Sequence, residues 1–158
     1  MQPKRFTPDQ ARLKIQAYCA YQERSHREVR EKLYSYGLFK DDVDQLTVEL
    51  LDQNFLNEER FARAYVSGKF RIKKWGRRKI ELHLKEKGVS AYCIKQGFKE
   101  IDPEEYSKTM MELIAYKLRT VAAKNDFERH AKTAAYIVGR GFESELVWEQ
   151  IHQLRVKN

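Results

Sequence analysis

Apolar residues recur at intervals of three and four along almost the whole chain, broken by short polar runs that carry helix-start and helix-stop residues. No segment shows the strict alternation of a half-buried strand. Three glycines set the rhythm: Gly37, Gly88 and Gly141, spaced 51 and 53 residues apart. An aliphatic residue stands four positions before each (Leu33, Leu84, Ile137) and an apolar one directly after (Leu38, Val89, Phe142). Further apolar matches follow six positions on (Val43, Ile94, Val147) and thirteen on (Leu50, Ile101, Leu154). Each unit reads as helix, glycine turn, helix, with the glycine supplying the left-handed residue that ends the first helix. Repetition at about fifty residues marks a repeat array.

A further helix precedes each pair. Thr7-Pro8-Asp9 and Asp102-Pro103-Glu104-Glu105 place a capping side chain, a proline at the first helical position and acids in order. Asn57-Glu58-Glu59 does the same without proline, and Ser25-His26-Arg27-Glu28 has the spacing of a capping box. Helices are therefore expected near 8–23, 26–36, 40–53, 58–72, 77–87, 91–101, 103–124, 128–139 and 144–155. The predicted fold class is all-α, with helical repeats over 1–56, 57–102 and 103–158.

The chain has 158 residues and a net charge of +8, unevenly placed. Between Arg60 and Gly88 there are eleven Lys/Arg against two acids, Glu81 and Glu86, while the rest of the chain is nearly balanced. Such asymmetry points to a polyanionic partner or an acidic protein surface rather than to solubility alone. At about 100° per residue, Phe61, Ala62, Tyr65, Val66 and Ile72 fall on one arc of the fourth helix, the expected core side. Arg60, Arg63, Ser67, Arg71 and Lys74 fall on another, and their row runs into Lys73-Lys74-Trp75-Gly76-Arg77-Arg78-Lys79. Arginine grips phosphates or carboxylates with two parallel bonds, and tryptophan stacks on a base or a cation. Trp75 has a plainer alternative, a hydrophobic staple on Ile80 or Leu84. On the fifth helix Arg78, Glu81 and Lys85 are spaced to pair locally, whereas Lys79, Lys87 and the fourth-helix arginines are expected to lack such partners. The candidate binding residues are Arg60, Arg63, Lys69, Arg71, Lys73, Lys74, Trp75, Arg77, Arg78, Lys79 and Lys87.

Other chemistry finds no foothold. The helix-turn-helix pattern invites duplex reading, but the helix expected over 40–53 carries Asp41, Asp42, Asp44, Glu49 and Asp52, which repel phosphates. There is no GxxxxGK[ST] phosphate loop, and Gly139-Arg140-Gly141 does not extend to GxGxxG. His26, His83, His130 and His152 are scattered, without HExxH, and Cys19 and Cys93 form no CxxC pair. No catalytic or metal-binding residue and no cofactor is expected. Met1-Gln2-Pro3-Lys4-Arg5 leads into no apolar run, and no stretch approaches the roughly 20 apolar residues of a membrane span, so a cytoplasmic protein without membrane contact is expected.

Residues 55–88 carry Phe55-Leu56-Asn57-Glu58-Glu59-Arg60-Phe61-Ala62, then Tyr65-Val66, Trp75-Gly76 and Lys85-Glu86-Lys87-Gly88, and this stretch closely resembles the RecX family. Ser25-His26-Arg27-Glu28-Val29-Arg30-Glu31-Lys32-Leu33 is similar to that family's Ser-x-x-Glu-Leu-Arg-x-Lys-Leu segment, and the third repeat agrees more loosely through Gly141-Phe142. Asn57-Glu58 stands where the family often has two aspartates, and Thr133 occupies the position matching Val29 and Ile80. The resemblance implies tandem three-helix units in a curved, elongated array. It implies a non-enzymatic regulator that binds the groove of the RecA–DNA filament and limits recombinase, ATPase and co-protease activity, with effects on DNA repair and the SOS response. The expected partners are the RecA filament and DNA, single-stranded or within the filament, and a monomer is expected. A general module for single-stranded nucleic acid is the competing reading, with a scaffold remote from nucleic acid third. If repeats contact mainly their neighbours, a chain ending near Asp102 is expected to stay folded with its basic segment intact.

Overall fold

The computed structural model describes residues 5–157, with side chains through Leu154. Among the described residues there are nine α-helices and no strand: α1 Pro8–Tyr21, α2 His26–Ser35, α3 Lys40–Asp52, α4 Glu58–Arg71, α5 Arg77–Glu86, α6 Ala91–Gly97, α7 Pro103–Thr120, α8 Asp126–Gly139 and α9 Ser144–Lys157. They form three successive triplets, and a left-handed glycine separates the second helix of each from the third: Gly37 at φ 88°, Gly88 at 79° and Gly141 at 103°. The residue after each glycine is buried, which seals the turn (Leu38, Val89, Phe142).

Side-chain caps begin the helices where the residue order placed them. Thr7 and Gln10 bond each other's backbone amides reciprocally at the start of α1. Asp102 accepts from the Glu105 amide at 3.0 Å, and Asn57 from the Arg60 amide at 2.8 Å. At α2 only half the expected box forms: Ser25 accepts from the Glu28 amide, while its hydroxyl donates to the Glu28 carboxylate.

Helix ends depart from expectation where a side chain draws off the last carbonyls. Arg24 Nε donates to Tyr18 O at 3.0 Å, and α1 stops at Tyr21 rather than at residue 23. Arg129 bonds the carbonyls of Leu118 and Val121, and α7 stops at Thr120 rather than at residue 124. Asn125 then caps α8, which starts at Asp126 instead of residue 128. The sixth helix ends at Gly97 and gives way to a 3-10 turn over Phe98–Glu100.

The chain divides into two compact units. The first comprises residues 1–65 and 84–97, the second residues 66–83 and 98–158, so the division falls inside α4 and α5. In the first, α1, α2 and α3 close on Ala11, Ile15, Val29, Leu33, Val43, Leu46 and Leu50. Phe61 and Ala62 are also buried there, and Cys93 and Ile94 of α6 with them. Burial pushes the Cys19 thiol up to about 11, so it keeps its proton at neutral pH and serves as a small apolar filler. In the second unit α7, α8 and α9 pack together, and an aromatic chain runs from Phe70 to Tyr106 (5.7 Å between centroids) and on to Phe142 (5.1 Å).

Thr133 replaces the Val29 and Ile80 of the other triplets and is fully buried, yet its hydroxyl has no hydrogen-bond partner. Thr133→Val keeps the shape and removes that unsatisfied group. It is expected to raise stability by roughly 1 kcal/mol, read as a higher denaturant midpoint. An unchanged or lower midpoint would mean that the hydroxyl is satisfied in solution.

Candidate nucleic-acid interface

The second unit holds the basic loop. In α4 the buried stripe runs along Ala62, Val66 and Phe70. Ile72, expected on that face, is instead 78% exposed, because the helix ends at Arg71 and the chain turns away from the stripe. Two backbone bonds close the end: the Lys74 amide donates to Phe70 O and the Trp75 amide to Lys69 O, each at 3.1 Å. Lys74 occupies the left-handed position of this cap, at φ 59°, where glycine is the relaxed choice. A lysine there stores strain of about 1 kcal/mol or more, and its side chain stands exposed.

The turn folds Trp75 back beside α4. Its ring meets His83 at 4.7 Å between centroids, with Lys69 Nζ at 4.9 Å and Lys79 Nζ at 4.5 Å. The indole is half-buried among two cations and an imidazole. Arg71, Lys73, Lys74 and Arg78 are exposed, and none is held in an ion pair among the described residues. Arg77 differs: it pairs with Glu143 at 2.7 Å and lies 3.9 Å over the Tyr106 ring. Its amide donates to Tyr106 Oη, whose own proton goes to Glu143. Burial and the Glu143 bond raise the Tyr106 phenol well above its ordinary range, so it remains a donor at any working pH. Arg77 therefore fastens the loop to the core, and the neighbours around it hold the outward cations.

The loop is anchored on the glycine turn between α8 and α9. The Gly76 amide donates to Arg140 O and the Arg78 amide to Gly141 O, both at 2.9 Å. A Cβ on Gly76 would sit 2.3 Å from Gly141 backbone atoms, so only glycine admits this approach. The Arg140 guanidinium donates to Lys73 O and, at 3.3 Å, to Lys74 O. Arg140 was missed in the residue pattern, where it registered only as the middle of a failed glycine motif. An arginine directly before a cap glycine is its one local signal.

The first unit contains the remaining candidates, and there the expectation of unpaired cations fails. Arg60 pairs with Glu23 at 2.5 Å and donates to Asn54 Oδ1 (3.2 Å) and to the carbonyls of Asn54 (3.1 Å) and Phe55 (3.3 Å). Asn54 is the left-handed residue after α3, at φ 63°, and Arg60 secures that turn. Arg63 pairs with Glu59 at 3.5 Å, and Lys87 with Glu28 at 3.7 Å beside Tyr65. Helical spacing along one segment does not reveal partners such as Glu23 or Glu28, which come from another triplet. Arg60→Ala is expected to lower stability by on the order of 1–2 kcal/mol, against about 3–5 kcal/mol for Phe61→Ala, whose ring is buried. Thermal melts of both check this. A parent-like melt for Arg60→Ala would return that residue to the solvent-facing row.

The family model for RecX, second three-helix domain, matches residues 57–97. A regulatory protein RecX from Prosthecochloris aestuarii is 30% identical over 139 residues, 87% of this chain and 88% of that relative. The chain belongs to the RecX family. A second regulatory protein RecX, from Lactobacillus gasseri, is 28% identical over 130 residues, 82% of this chain and 48% of its own length. The chain thus spans about half the length of that relative and of the one from Lactobacillus johnsonii, where the share is 52%. The crystal structure of RecX from Lactobacillus salivarius superposes with a TM-score of 0.84 at 19% identity, covering 94% of this chain and 97% of that one. The RecX fold is common to both. Among the described residues no helix is long and apolar enough to cross a membrane.

Proposed function

We propose that this RecX-family chain binds the RecA–DNA filament and modulates, mainly by inhibition, its recombinase, ATPase and co-protease activities, and through them DNA repair and the SOS response. The observation that carries this reading is the exposed set Arg71, Lys73, Lys74 and Arg78, on a loop hydrogen-bonded to a glycine turn in a member of a family of regulatory proteins. A loop backbone already held by hydrogen bonds loses little freedom on meeting a phosphate backbone, so more of the charge goes into affinity. Regulation then needs no catalysis and no cofactor. A protein that binds some filament states better than others shifts their assembly by mass action. It acts as a monomer in the cytoplasm, on DNA that is single-stranded or within the filament.

The test compares binding to bare single-stranded DNA and to preformed RecA–ATP–DNA filaments at one moderate salt concentration, alongside RecA ATP turnover. Preference for filaments with reduced turnover is the expected result. Equal or tighter binding to bare strands without an effect on turnover would establish a general single-stranded nucleic-acid module instead.

A further inference from the structure

Counted by segment, the charge excess lies between Arg60 and Gly88, but a second concentration is averaged away in that count. Between Tyr116 and Arg140 there are six Lys/Arg against two acids, an excess that disappears over 104–145, where Glu104, Glu105, Glu112, Glu143 and Glu145 outweigh Lys108. Helices α7 and α8 pack side by side and bring Lys117 of one onto Tyr136 of the other, Nζ 4.2 Å from the ring centroid. One turn along α8 the Arg140 guanidinium lies 6.0 Å from the same ring. That guanidinium also bonds the Lys73 and Lys74 carbonyls, so the strained basic loop and Tyr136 share one arginine.

Tyr136 is 41% exposed. Beside it on α8 stand Ala135 and Gly139, both exposed, and a Cβ on Gly139 would meet nothing within 4 Å. The tyrosine is therefore partly open to solvent, with Lys117 held over its ring and Arg140 farther off. An acidic peptide would use those cations and gain little from the ring. An unpaired base uses both, since every base has a π-face and every nucleotide a phosphate.

We propose that Tyr136, between Lys117 and Arg140, is a stacking platform for an unpaired base of single-stranded nucleic acid whose backbone continues to Lys73 and Lys74. The inference rests on the reading of the loop as a phosphate contact given above. It places part of the nucleic-acid surface on the third triplet, which charge counting had left neutral.

The full-length chain and its Tyr136→Leu and Tyr136→Phe variants are titrated against a fluorescein-labelled oligothymidylate and against RecA–ATP–DNA filaments, over a range of salt, with melting temperatures measured alongside. Tyr136→Leu keeps apolar bulk but no π-face, and is expected to weaken oligothymidylate binding roughly five- to hundred-fold. Tyr136→Phe retains the ring and is expected to stay within about two-fold of the parent. Neither substitution removes a charge, so the salt slope stays that of the parent, unlike that of a loop variant. If Tyr136→Leu melts early, Lys117→Gln, which strips the cation from the ring, carries the test with an expected loss of several-fold.

Three results overturn the platform. Parent-like oligothymidylate binding by Tyr136→Leu and Lys117→Gln, while Arg71→Ala binds weakly, leaves the loop reading intact and the platform wrong. Loss of filament binding with oligothymidylate binding retained means that the ring meets a protein surface. Failure of the parent to bind either probe removes the loop reading and the platform together.

Discussion

A chain ending at Asp102 is expected to lose the ordered form of its basic loop, although every residue of that loop is retained. From the repeat pattern alone such a cut looks safe, since it precedes the capped start of α7. The structure puts residues 66–83 in one compact unit with residues 98–158. The cut removes Tyr106 and Phe142 from the aromatic chain that buries Phe70. It also removes the Arg140 and Gly141 carbonyls that hold Gly76 and Arg78, the Arg140 guanidinium, and the Glu143 partner of Arg77. Exposing a buried phenylalanine costs about 1.5–3 kcal/mol by itself, and the lost loop bonds add to it. Hydrogen exchange will check the point residue by residue. Amides of 66–83 are expected to exchange far faster in the truncated chain, while α1–α3 keep most of their protection, since their core lies wholly within the retained residues. Parent-like protection across 66–83 would show that the middle triplet is self-sufficient.

Removing the loop's charge is expected to cost about a hundred-fold in affinity for single-stranded DNA at 0.1 M salt. Arg71, Lys73 and Lys74 amount to three phosphate contacts, each adding roughly −0.7 to the log–log salt slope on single strands. The variant Arg71→Ala, Lys73→Ala, Lys74→Gly should therefore flatten the slope by about two. All three side chains are exposed, and glycine relaxes the left-handed backbone at position 74, so stability should hold or rise by up to about 1 kcal/mol. Loss of binding with a gain in stability is the mark of residues kept for contact at the expense of fold. A slope equal to the parent's would remove the loop from the interface. A lower melting temperature would show that Lys74 has a structural role instead.

The sequence by itself determined the local architecture. Helical periodicity located the nine helices of the described residues, since amphipathic spacing is a property of each segment alone. The glycines at 37, 88 and 141 carried their left-handed turns legibly, because only the missing Cβ makes that conformation cheap. Thr7, Asn57 and Asp102 announced their caps through bonds that reach three residues. The basic stretch was legible too, as composition needs no geometry.

Tertiary structure decided what the charges do. Arg60 and Arg77 sit in the same basic run as Lys73 and Arg78, yet they turn inward to Glu23 and Glu143, acids 37 and 66 residues away. No periodicity encodes a partner at that separation; only packing creates it. The same packing set Gly76 against Gly141, a glycine whose need is invisible until a second backbone arrives. It also brought Lys117 and Arg140 to Tyr136, making a charged surface from a segment whose neighbours in sequence hide its sign. Helix signals are written within a few residues and survive in one dimension, whereas the identity of a surface depends on which distant side chains share it.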